Sequence, residues 1–302
     1  MDDHMSWVTS WEQWRKVMGA SGSRQRRNVD DFLETHPAIL YWGDSWFSTP
    51  LYLNLARQSA RRINGLSMIV GKPGALAANL FSPSEVERVG GRIEANPFDV
   101  VCLSAGGNDC LSDRLTSAFR KWTARPGTSP KISAADAYQV FLSSGLLSRV
   151  SSAYVRVLDN LSQLQKSRPH LRVVGHCYLP IVDIGKPADL KASNIGLIAW
   201  VKDDVGPWLW EPMQHVLPSK REGQAFARLI LESGFRDSVL KPLAVRYDGL
   251  FSYVDFAQAD TTFPGFWNDE IHPGEVGFEV LSRVLNKEIR NVLPAGKRGA
   301  VT

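Results

Sequence analysis

Five short runs of apolar residues recur along this chain, each followed by a turn and then by a stretch with helical periodicity. The runs span residues 38–42, 66–70, 100–103, 171–174 and 250–254. Because their apolar residues are mostly continuous rather than alternating, the runs predict strands that are covered on both faces. Such strands belong to parallel sheets with helices on either side, so the pattern predicts an α/β layer fold.

The composition is that of an ordinary globular protein. Of the 302 residues, 44% are hydrophobic and 22% are charged, which is enough to bury a substantial core. The formal net charge of +4 is too small to indicate a nucleic-acid partner. Three cysteines, Cys102, Cys110 and Cys177, are too few for a disulfide framework in a chain of this length. Cys102 and Cys177 each lie in or beside a run that predicts a buried strand, so we expect small core residues there, with a catalytic thiol as the less favoured alternative.

The first residues do not predict a targeting segment. Residues 1–4 are acidic and precede tryptophans rather than a smooth apolar core, which argues against a signal peptide. No stretch of the sequence is long and apolar enough to predict a membrane span. We expect a cytoplasmic protein, although export by a signal-independent route would leave no readable mark.

The chain divides into a main domain with an addition at each end and one in the middle. Residues 1–37 predict an N-terminal helical extension, residues 38–292 the main domain, and residues 293–302 a C-terminal tail. Within the main domain, residues 179–247 are too long for an ordinary connection and predict an insertion or lid.

Helical periodicity occurs in the N-terminal extension and between the predicted strands. It predicts helices over residues 7–18, 51–62, 134–166, 221–233 and 274–291. The first of these carries a stripe of large apolar residues, Trp7, Trp11, Trp14 and Met18. A stripe of this kind packs on its own domain, which we favour, or docks on a membrane interface or a partner groove. The basic run at 23–27 predicts a solvated linker, which we favour, or a contact with an anionic surface.

A serine follows the first predicted strand directly, in Gly43-Asp44-Ser45. Ligands of open parallel sheets bind beyond the carboxyl ends of the strands, so Ser45 stands where chemistry is usually carried out. Gly43 allows a sharp turn, and the Asp44 side chain can hold that turn through hydrogen bonds from nearby backbone N–H groups. Taken alone, the tripeptide is typical of an ordinary turn.

The third predicted strand is followed by Gly106-Gly107-Asn108-Asp109. Paired glycines let a backbone approach a ligand closely, which makes Gly107 a candidate substrate contact. The Asn108 side chain is a neutral N–H donor that can stabilise an oxyanion, and we expect Asp109 to brace the loop. The alternative is a turn held by an Asx side chain.

Asp269 and His272 lie three residues apart, directly before Pro273. A serine nucleophile needs an imidazole within reach as general base, and that imidazole needs a carboxylate to fix its tautomer. A turn would let Asp269 fold back onto His272, whereas the side chain of the adjacent Glu270 should diverge. We expect the helix that begins near Pro273 to help keep the imidazole neutral.

Metal ligation is the main rival chemistry for an aspartate and a histidine this close. It would need further ligands, and the other candidates, His170, His176 and His215, are scattered without ligand spacing. The sequence therefore predicts neither a metal nor an organic cofactor.

Four blocks now stand in order along the chain: Gly43-Asp44-Ser45, Gly74, Gly106-Gly107-Asn108-Asp109 and Asp269-x-x-His272. These blocks resemble those of the SGNH (GDSL-like) hydrolases, both in their order and in their positions after the expected strands. The resemblance extends from about residue 38 to about residue 290. The resemblance implies a three-layer α/β/α sandwich with a parallel five-stranded sheet of flavodoxin-like order. It also implies an oxyanion hole made by the Ser45 N–H, the Gly74 N–H and the Asn108 side chain, with Gly71 as the alternative to Gly74.

The resemblance further implies a serine esterase that forms an acyl-enzyme, with Ser45 as nucleophile and with His272 and Asp269 completing the triad. We expect carboxylic esters as substrates, namely short acyl or acetyl esters of carbohydrates or small molecules. Trp46, which stands where the family often has leucine, and Trp208 are further candidate contacts. The alternatives are a membrane-acting lipase or phospholipase docked through the tryptophan stripe, and a non-hydrolytic acyltransferase or binding protein of the same fold.

Overall fold

The computed structural model describes residues 7–49, 52–188 and 206–302. Its sheet is parallel throughout, with the strand order β1-β3-β2-β4-β5-β6. The strands are β1 (Trp7–Val8), β2 (Ala38–Gly43), β3 (Leu66–Gly71), β4 (Val100–Ser104), β5 (Arg172–Cys177) and β6 (Phe251–Asp255). All five predicted strands are present, as β2 to β6, and among themselves they have the 2-1-3-4-5 order of flavodoxin-like folds.

Helices connect the strands. The α-helices are α1 (Trp11–Met18), α2 (Arg24–Thr35), α3 (Ser45–Ser48), α4 (Leu55–Ala60), α5 (Ala77–Leu80), α6 (Pro83–Glu94), α7 (Ser112–Ala118), α8 (Arg120–Thr123), α9 (Ala134–Ser143), α10 (Leu146–Ser167), α11 (Trp210–Met213), α12 (Lys220–Arg228), α13 (Lys241–Arg246) and α14 (Glu275–Val292). A π-helix spans Leu229–Leu240, and 3₁₀-helices span Asn108–Cys110, Phe256–Gln258 and Ala295–Ala300.

Two neighbouring residues of β2 show that helices cover both faces of the sheet. The Tyr41 hydroxyl lies 2.7 Å from the Ser59 hydroxyl on α4. The Trp42 ring packs edge-on against Phe81, at the C-terminal end of α5, with 5.0 Å between ring centroids. Since successive side chains of a strand point to opposite faces, α4 and α5 lie on opposite sides of the sheet. The result is the predicted three-layer arrangement.

The predicted helices are found, with changed bounds. Residues 134–166 form two helices rather than one, because Gly145 has a left-handed φ of 71° between α9 and α10. The helix predicted over 221–233 is α12 continued by the π-helix, whose i→i+5 pattern has no signature in the sequence periodicity. Within the predicted insertion 179–247, residues 189–205 lie outside the described residues.

The N-terminal segment packs on the sheet. Trp7 and Val8 form the edge strand β1 beside β3 instead of the first turn of the predicted helix, which begins at Trp11. Trp14 is buried, stacks on Phe98 with 4.7 Å between ring centroids, and donates from Nε1 to Asn96. The stripe is therefore covered by its own domain to a large extent.

The basic run 23–27 belongs to a helix and not to a linker as predicted. Ser23 caps α2 by accepting a hydrogen bond from the Arg26 N–H, so the arginines begin a helix. At the other terminus, Lys297 pairs with the Asp99 carboxylate at 2.7 Å, and Val301 bridges to Ile63. All three cysteines are buried, which for Cys102 and Cys177 was expected. Across the three described ranges, each helix is too short or too polar to cross a membrane.

Candidate active site

Ser45 begins α3 immediately after the carboxyl end of β2. A Cβ on Gly43 would lie 2.6 Å from both the Cβ and the carbonyl oxygen of Ser104, so only glycine lets β2 approach β4 at this point. The Asp44 N–H donates to the Ser104 carbonyl at 2.8 Å. The chain thus turns sharply into α3 and presents Ser45 above the sheet edge.

Asp44 holds this turn from three directions. One carboxylate oxygen accepts from the Trp46 N–H at 3.1 Å and from the Ser104 hydroxyl at 2.8 Å. The other accepts from the Tyr178 hydroxyl. Burial raises the pKa of the Asp44 carboxyl, while the hydrogen bonds from Tyr178, Ser104 and Trp46 act in the opposite direction. The turn-holding role expected from the sequence is present, and it also involves the side chains of Ser104 on β4 and of Tyr178, which follows β5.

Three side chains form a continuous chain of hydrogen bonds. Ser45 Oγ lies 2.8 Å from His272 Nε2, and His272 Nδ1 lies 3.0 Å from Asp269 Oδ2. Because the carboxylate faces Nδ1, the proton of a neutral ring sits on Nδ1 and Nε2 is free to accept the serine proton. The tertiary structure therefore brings together residues 45 and 272, which are 227 positions apart.

Asp269 also fixes the backbone of the turn that carries His272. Its Oδ1 accepts from the Ile271 N–H at 2.9 Å and from the His272 N–H at 2.7 Å. Asn268 donates to Oδ2 at 3.2 Å. The side chain is 2% exposed, so these hydrogen bonds operate in a medium of low polarity. The predicted preference for Asp269 over Glu270 agrees with this geometry.

The pKa values of the pair shift in opposite directions. Burial by itself would raise the pKa of Asp269, but the His272 charge and the hydrogen bonds from His272 and Ile271 outweigh it and lower that pKa. Burial would lower the pKa of His272, but the charge and hydrogen bond of Asp269 raise it overall. The nearby carboxylate therefore outweighs burial, and the expected effect of the following helix on this imidazole stays a prediction.

Glu270 hydrogen-bonds to two parts of the insertion, around residues 185 and 209. Its carboxylate accepts from the N–H groups of Gly185 at 2.8 Å, Trp210 at 3.3 Å and Leu209. Its own N–H donates to the Lys186 carbonyl at 3.0 Å. Burial raises the pKa of Glu270, and the three N–H donors oppose that shift. Adjacent carboxylates thus serve different purposes: Asp269 orients the histidine and Glu270 anchors the insertion beside it.

The glycine block after β4 lies next to the loop after β3. Asn108 uses one of its two amide N–H groups to reach the Ala75 carbonyl at 3.1 Å, which leaves the other for a ligand. The Asp109 carboxylate accepts from the Ala77 N–H at 2.8 Å, the bracing contact expected of it. Burial raises the pKa of Asp109 to about 6. Gly106 has a φ of 108°, and a Cβ there would lie 2.8 Å from Phe235 of the π-helix.

The two glycines of the second block differ sharply in their surroundings. A Cβ on Gly71 would lie 1.9 Å from the Gly43 carbonyl oxygen, so Gly71 is required for the pairing of β3 with β2. Gly74 has a φ of 72° and open space around its Cβ position. Among the described residues, none accepts a hydrogen bond from the Gly74 N–H. Strand pairing therefore accounts for Gly71, and Gly74 is left as the candidate donor.

A cavity that is partly open to solvent lies beside Ser45 and His272. Gly107, the candidate substrate contact, and Asn108, the candidate oxyanion donor, both line it. Trp46 also borders the cavity but is only 3% exposed, with its ring among core aromatic side chains. Trp208 packs edge-on against the His272 ring, with 5.8 Å between centroids, and does not line the cavity. Neither Gly74 nor Trp208 is therefore placed in direct contact with this space.

The scattered histidines do not join the triad. His176 is buried in β5 and stacks on Trp46, and both of its ring nitrogens lack hydrogen-bond partners in the described part of the chain. Burial lowers the pKa of His176 to about 3, so its ring is neutral. No group of three or more His, Cys, Asp or Glu side chains within 7–49, 52–188 and 206–302 is arranged to hold a metal ion.

Sequence reasoning missed Tyr178 and the anchoring role of Glu270. Tyr178 follows β5 directly, so the rule that selects residues beyond the carboxyl ends of strands could have found it. It contacts both turns of the site, since its hydroxyl donates to Asp44 and its ring closes over Gly107. The N–H partners of Glu270 lie about 60 and 85 residues away, and no local pattern reveals them.

A flavodoxin-like parallel sheet with a serine after its first main strand and an Asp-x-x-His turn near its end is the arrangement of the SGNH (GDSL-like) hydrolases, which this chain resembles. No protein-family model matches the sequence. No curated protein is significantly similar to it either.

Several solved structures are similar to this fold. They include an extracellular lipase from Streptomyces rimosus (14% identity, TM-score 0.47, covering 83% of this chain and 99% of that chain). A second is phospholipase A1 from Streptomyces albidoflavus NA297 (17% identity, TM-score 0.44, covering 83% of this chain and 99% of that chain). A third is a family 3 carbohydrate esterase from Clostridium thermocellum (13% identity, TM-score 0.42, covering 85% of this chain and 96% of that chain). Each of these identities and TM-scores is low, so the motif order and the site geometry are what carry the resemblance.

Proposed function

We propose that this protein hydrolyses carboxylic esters through an acyl-enzyme formed on Ser45. The observation that carries the proposal is the unbroken hydrogen-bond chain from Ser45 through His272 to Asp269. A serine hydroxyl is a weak nucleophile near neutral pH, and this geometry is what activates it.

In the first step, His272 Nε2 removes the Ser45 proton as Oγ attacks the ester carbonyl carbon. The resulting imidazolium is stabilised by the Asp269 carboxylate and then protonates the departing alcohol. In the second step, His272 takes a proton from water as the water oxygen attacks the acyl carbon. The Ser45 Oγ–C bond then breaks as His272 returns that proton to Oγ, which releases the acid. Each proton that His272 accepts is returned, so the enzyme is regenerated.

The negative charge on the carbonyl oxygen needs donors at each step. The proposed donors are the Ser45 and Gly74 N–H groups and the free amide N–H of Asn108. The Ser45 N–H lies at the first position of α3, where a helix has no internal acceptor for it. Support for Asn108 comes from its bond to Ala75, because that bond fixes the amide plane while leaving one N–H unused.

Labelling with a fluorophosphonate probe tests the proposal, since such a probe reacts with activated serines. We expect purified wild-type protein to be labelled and to hydrolyse p-nitrophenyl acetate, and Ser45→Ala and His272→Ala to lose both properties. Ser162→Ala is the matched control, because Ser162 lies on α10 and its Oγ donates to the Asp159 carbonyl of the same helix. Absence of labelling in folded wild-type protein would overturn the proposal and favour a binding function.

The membrane-acting alternative loses its main support. It relied on an exposed tryptophan stripe, yet Trp14 and Met18 are buried, and Trp11 packs against Phe98 and beneath Arg92. The acyltransferase alternative uses the same Ser45 chemistry and differs only in which acceptor takes the acyl group. Release of free acid in water, measured alongside the labelling, separates it from hydrolysis.

A further inference from the structure

We infer that the cavity beside Ser45 binds the acyl part of the substrate, and that this acyl part is an apolar chain longer than acetyl. The inference rests on the proposed function, because it names the substrate class of the same site. It departs from the acetyl and short-acyl esters expected from the sequence.

The lining of the cavity carries the inference. Its wall consists largely of aliphatic side chains, among them Leu111, Leu179, Ile181, Leu209, Ile230 and Leu231. The ionisable groups Asp44 and His272 also border it, and both are already engaged in hydrogen bonds within the site. Sugar hydroxyls placed against such a wall would lose their hydrogen bonds to water without replacement, whereas methylene groups gain by leaving water.

The cavity is built into the fold. Leu209 is held through its N–H by the buried carboxylate of Glu270, next to the triad. The π-helix that supplies Ile230 and Leu231 also carries Phe235, which packs against Gly106 in the turn preceding Asn108. The apolar wall is therefore connected both to the histidine turn and to the proposed oxyanion donor, so its position relative to Ser45 is fixed.

The acyl group fits this space better than the alcohol does. In an acyl-enzyme the acyl chain stays attached to Ser45 Oγ while the alcohol departs and water enters. The group that stays benefits from a partly enclosed apolar space, and the group that leaves needs an open path. Ser45 itself lines the cavity, so a chain attached to Oγ would extend directly into it.

The small side chain of Ala227 and the large one of Leu231 provide opposite tests. Both line the cavity; Ala227 lies on α12 and is fully buried, and Leu231 lies on the π-helix. Ala227→Leu would fill part of the space, and Leu231→Ala would enlarge it. Leu229→Ala is the matched control, because Leu229 begins the same π-helix and does not line the cavity.

The experiment measures kcat/KM for two series of esters. One series varies the acyl chain from acetyl to dodecanoyl with p-nitrophenol as the constant leaving group, and the other varies the alcohol of acetate esters. For wild-type protein we expect kcat/KM to rise by up to about fourfold per methylene in the acyl series, with octanoyl at least about tenfold above acetyl, and to stay nearly flat in the alcohol series. Ala227→Leu should move the optimum to shorter chains, Leu231→Ala to longer chains, and Leu229→Ala should leave it unchanged.

The two proposals fail in different ways. Loss of both labelling and hydrolysis of every ester in wild-type protein would overturn the proposed function. Retained labelling with a flat acyl series, or with chain dependence only in the alcohol series, would overturn the acyl-chain inference while leaving Ser45 chemistry intact. If Ala227→Leu does not fold, the other two variants still test the inference. The inference is overturned if the acyl chain length with the highest kcat/KM is the same in Leu231→Ala as in Leu229→Ala.

Discussion

The Asp269 carboxylate holds His272 both by its ring and by its backbone. Oδ1 accepts from the His272 N–H at 2.7 Å, and Oδ2 lies 3.0 Å from Nδ1 of the same residue. One side chain therefore determines where the histidine sits, which way its ring faces and which nitrogen carries the proton. Loss of the carboxylate charge should consequently affect chemistry more than folding.

Asp269→Asn should lower kcat by about 10³-fold to 10⁴-fold on any ester that wild-type protein hydrolyses. The asparagine amide can donate to Nδ1, which would place the ring proton on Nε2 and remove the acceptor facing Ser45. Steady-state kinetics with p-nitrophenyl acetate checks this. Asp260→Asn is the control, because Asp260 is an exposed aspartate nearby in the chain, and it should be close to wild type. Near wild-type kcat in Asp269→Asn would remove Asp269 from the mechanism.

The pH profile of kcat/KM should have a rising limb, and the apparent pKa of that limb should lie above the ordinary histidine pKa of about 6.5. His272 must be neutral to accept the Ser45 proton, and Asp269 raises the pKa of His272, so activity should increase as pH rises through that raised pKa. In Asp269→Asn the residual activity should show its limb at lower pH, since the stabilising charge is gone. A wild-type limb below pH 6.5 would contradict the assignment of His272 as general base.

Glu270→Gln should reduce the free energy of unfolding by about 1–3 kcal/mol. Glutamine keeps one acceptor oxygen but turns an N–H₂ group toward one of the three backbone donors from Gly185, Leu209 and Trp210. Urea unfolding measures the loss. Glu222→Gln is the matched control, because Glu222 accepts a single backbone N–H, from Ala134, and glutamine can replace that bond. Equal stability of the two variants would show that Glu270 does not anchor the insertion.

Gly71→Ala and Gly74→Ala should separate a structural glycine from a functional one. The Gly71 variant places a Cβ against the Gly43 carbonyl and should not fold to a stable protein. The Gly74 variant has room for its Cβ but a strained φ, costing about 1–2 kcal/mol, and should fold while losing at least about tenfold in kcat as its N–H is redirected.

Gly91→Ala is the control for both glycine variants. Gly91 lies on α6 with nothing near its Cβ position, so alanine there should slightly raise the melting temperature and leave kcat unchanged. Wild-type kcat in a folded Gly74→Ala protein would remove the Gly74 N–H from the proposed oxyanion hole.

The sequence by itself determined the parallel sheet and the residues of the proposed triad. Buried strands require continuous apolar runs, so β2 to β6 are visible as local patterns, and Ser45 and the Asp269 turn stand at fixed positions relative to those patterns. The edge strand β1 is only two residues long, and the π-helix departs from the 3.6-residue period, so neither has a readable signal.

Tertiary structure decided everything that depends on contacts between distant segments. The hydrogen bond from Ser45 to His272, the contacts of Glu270 with residues 185, 209 and 210, and the contacts of Tyr178 with Asp44 and Gly107 all join distant segments. The aliphatic wall of the cavity is assembled from the turn after β4, the insertion with its π-helix, and the turn that carries His272. The sequence alone cannot show that the aliphatic residues of these segments line a cavity. A side chain that lines a cavity and one that fills the core are both apolar and occur in the same sequence patterns.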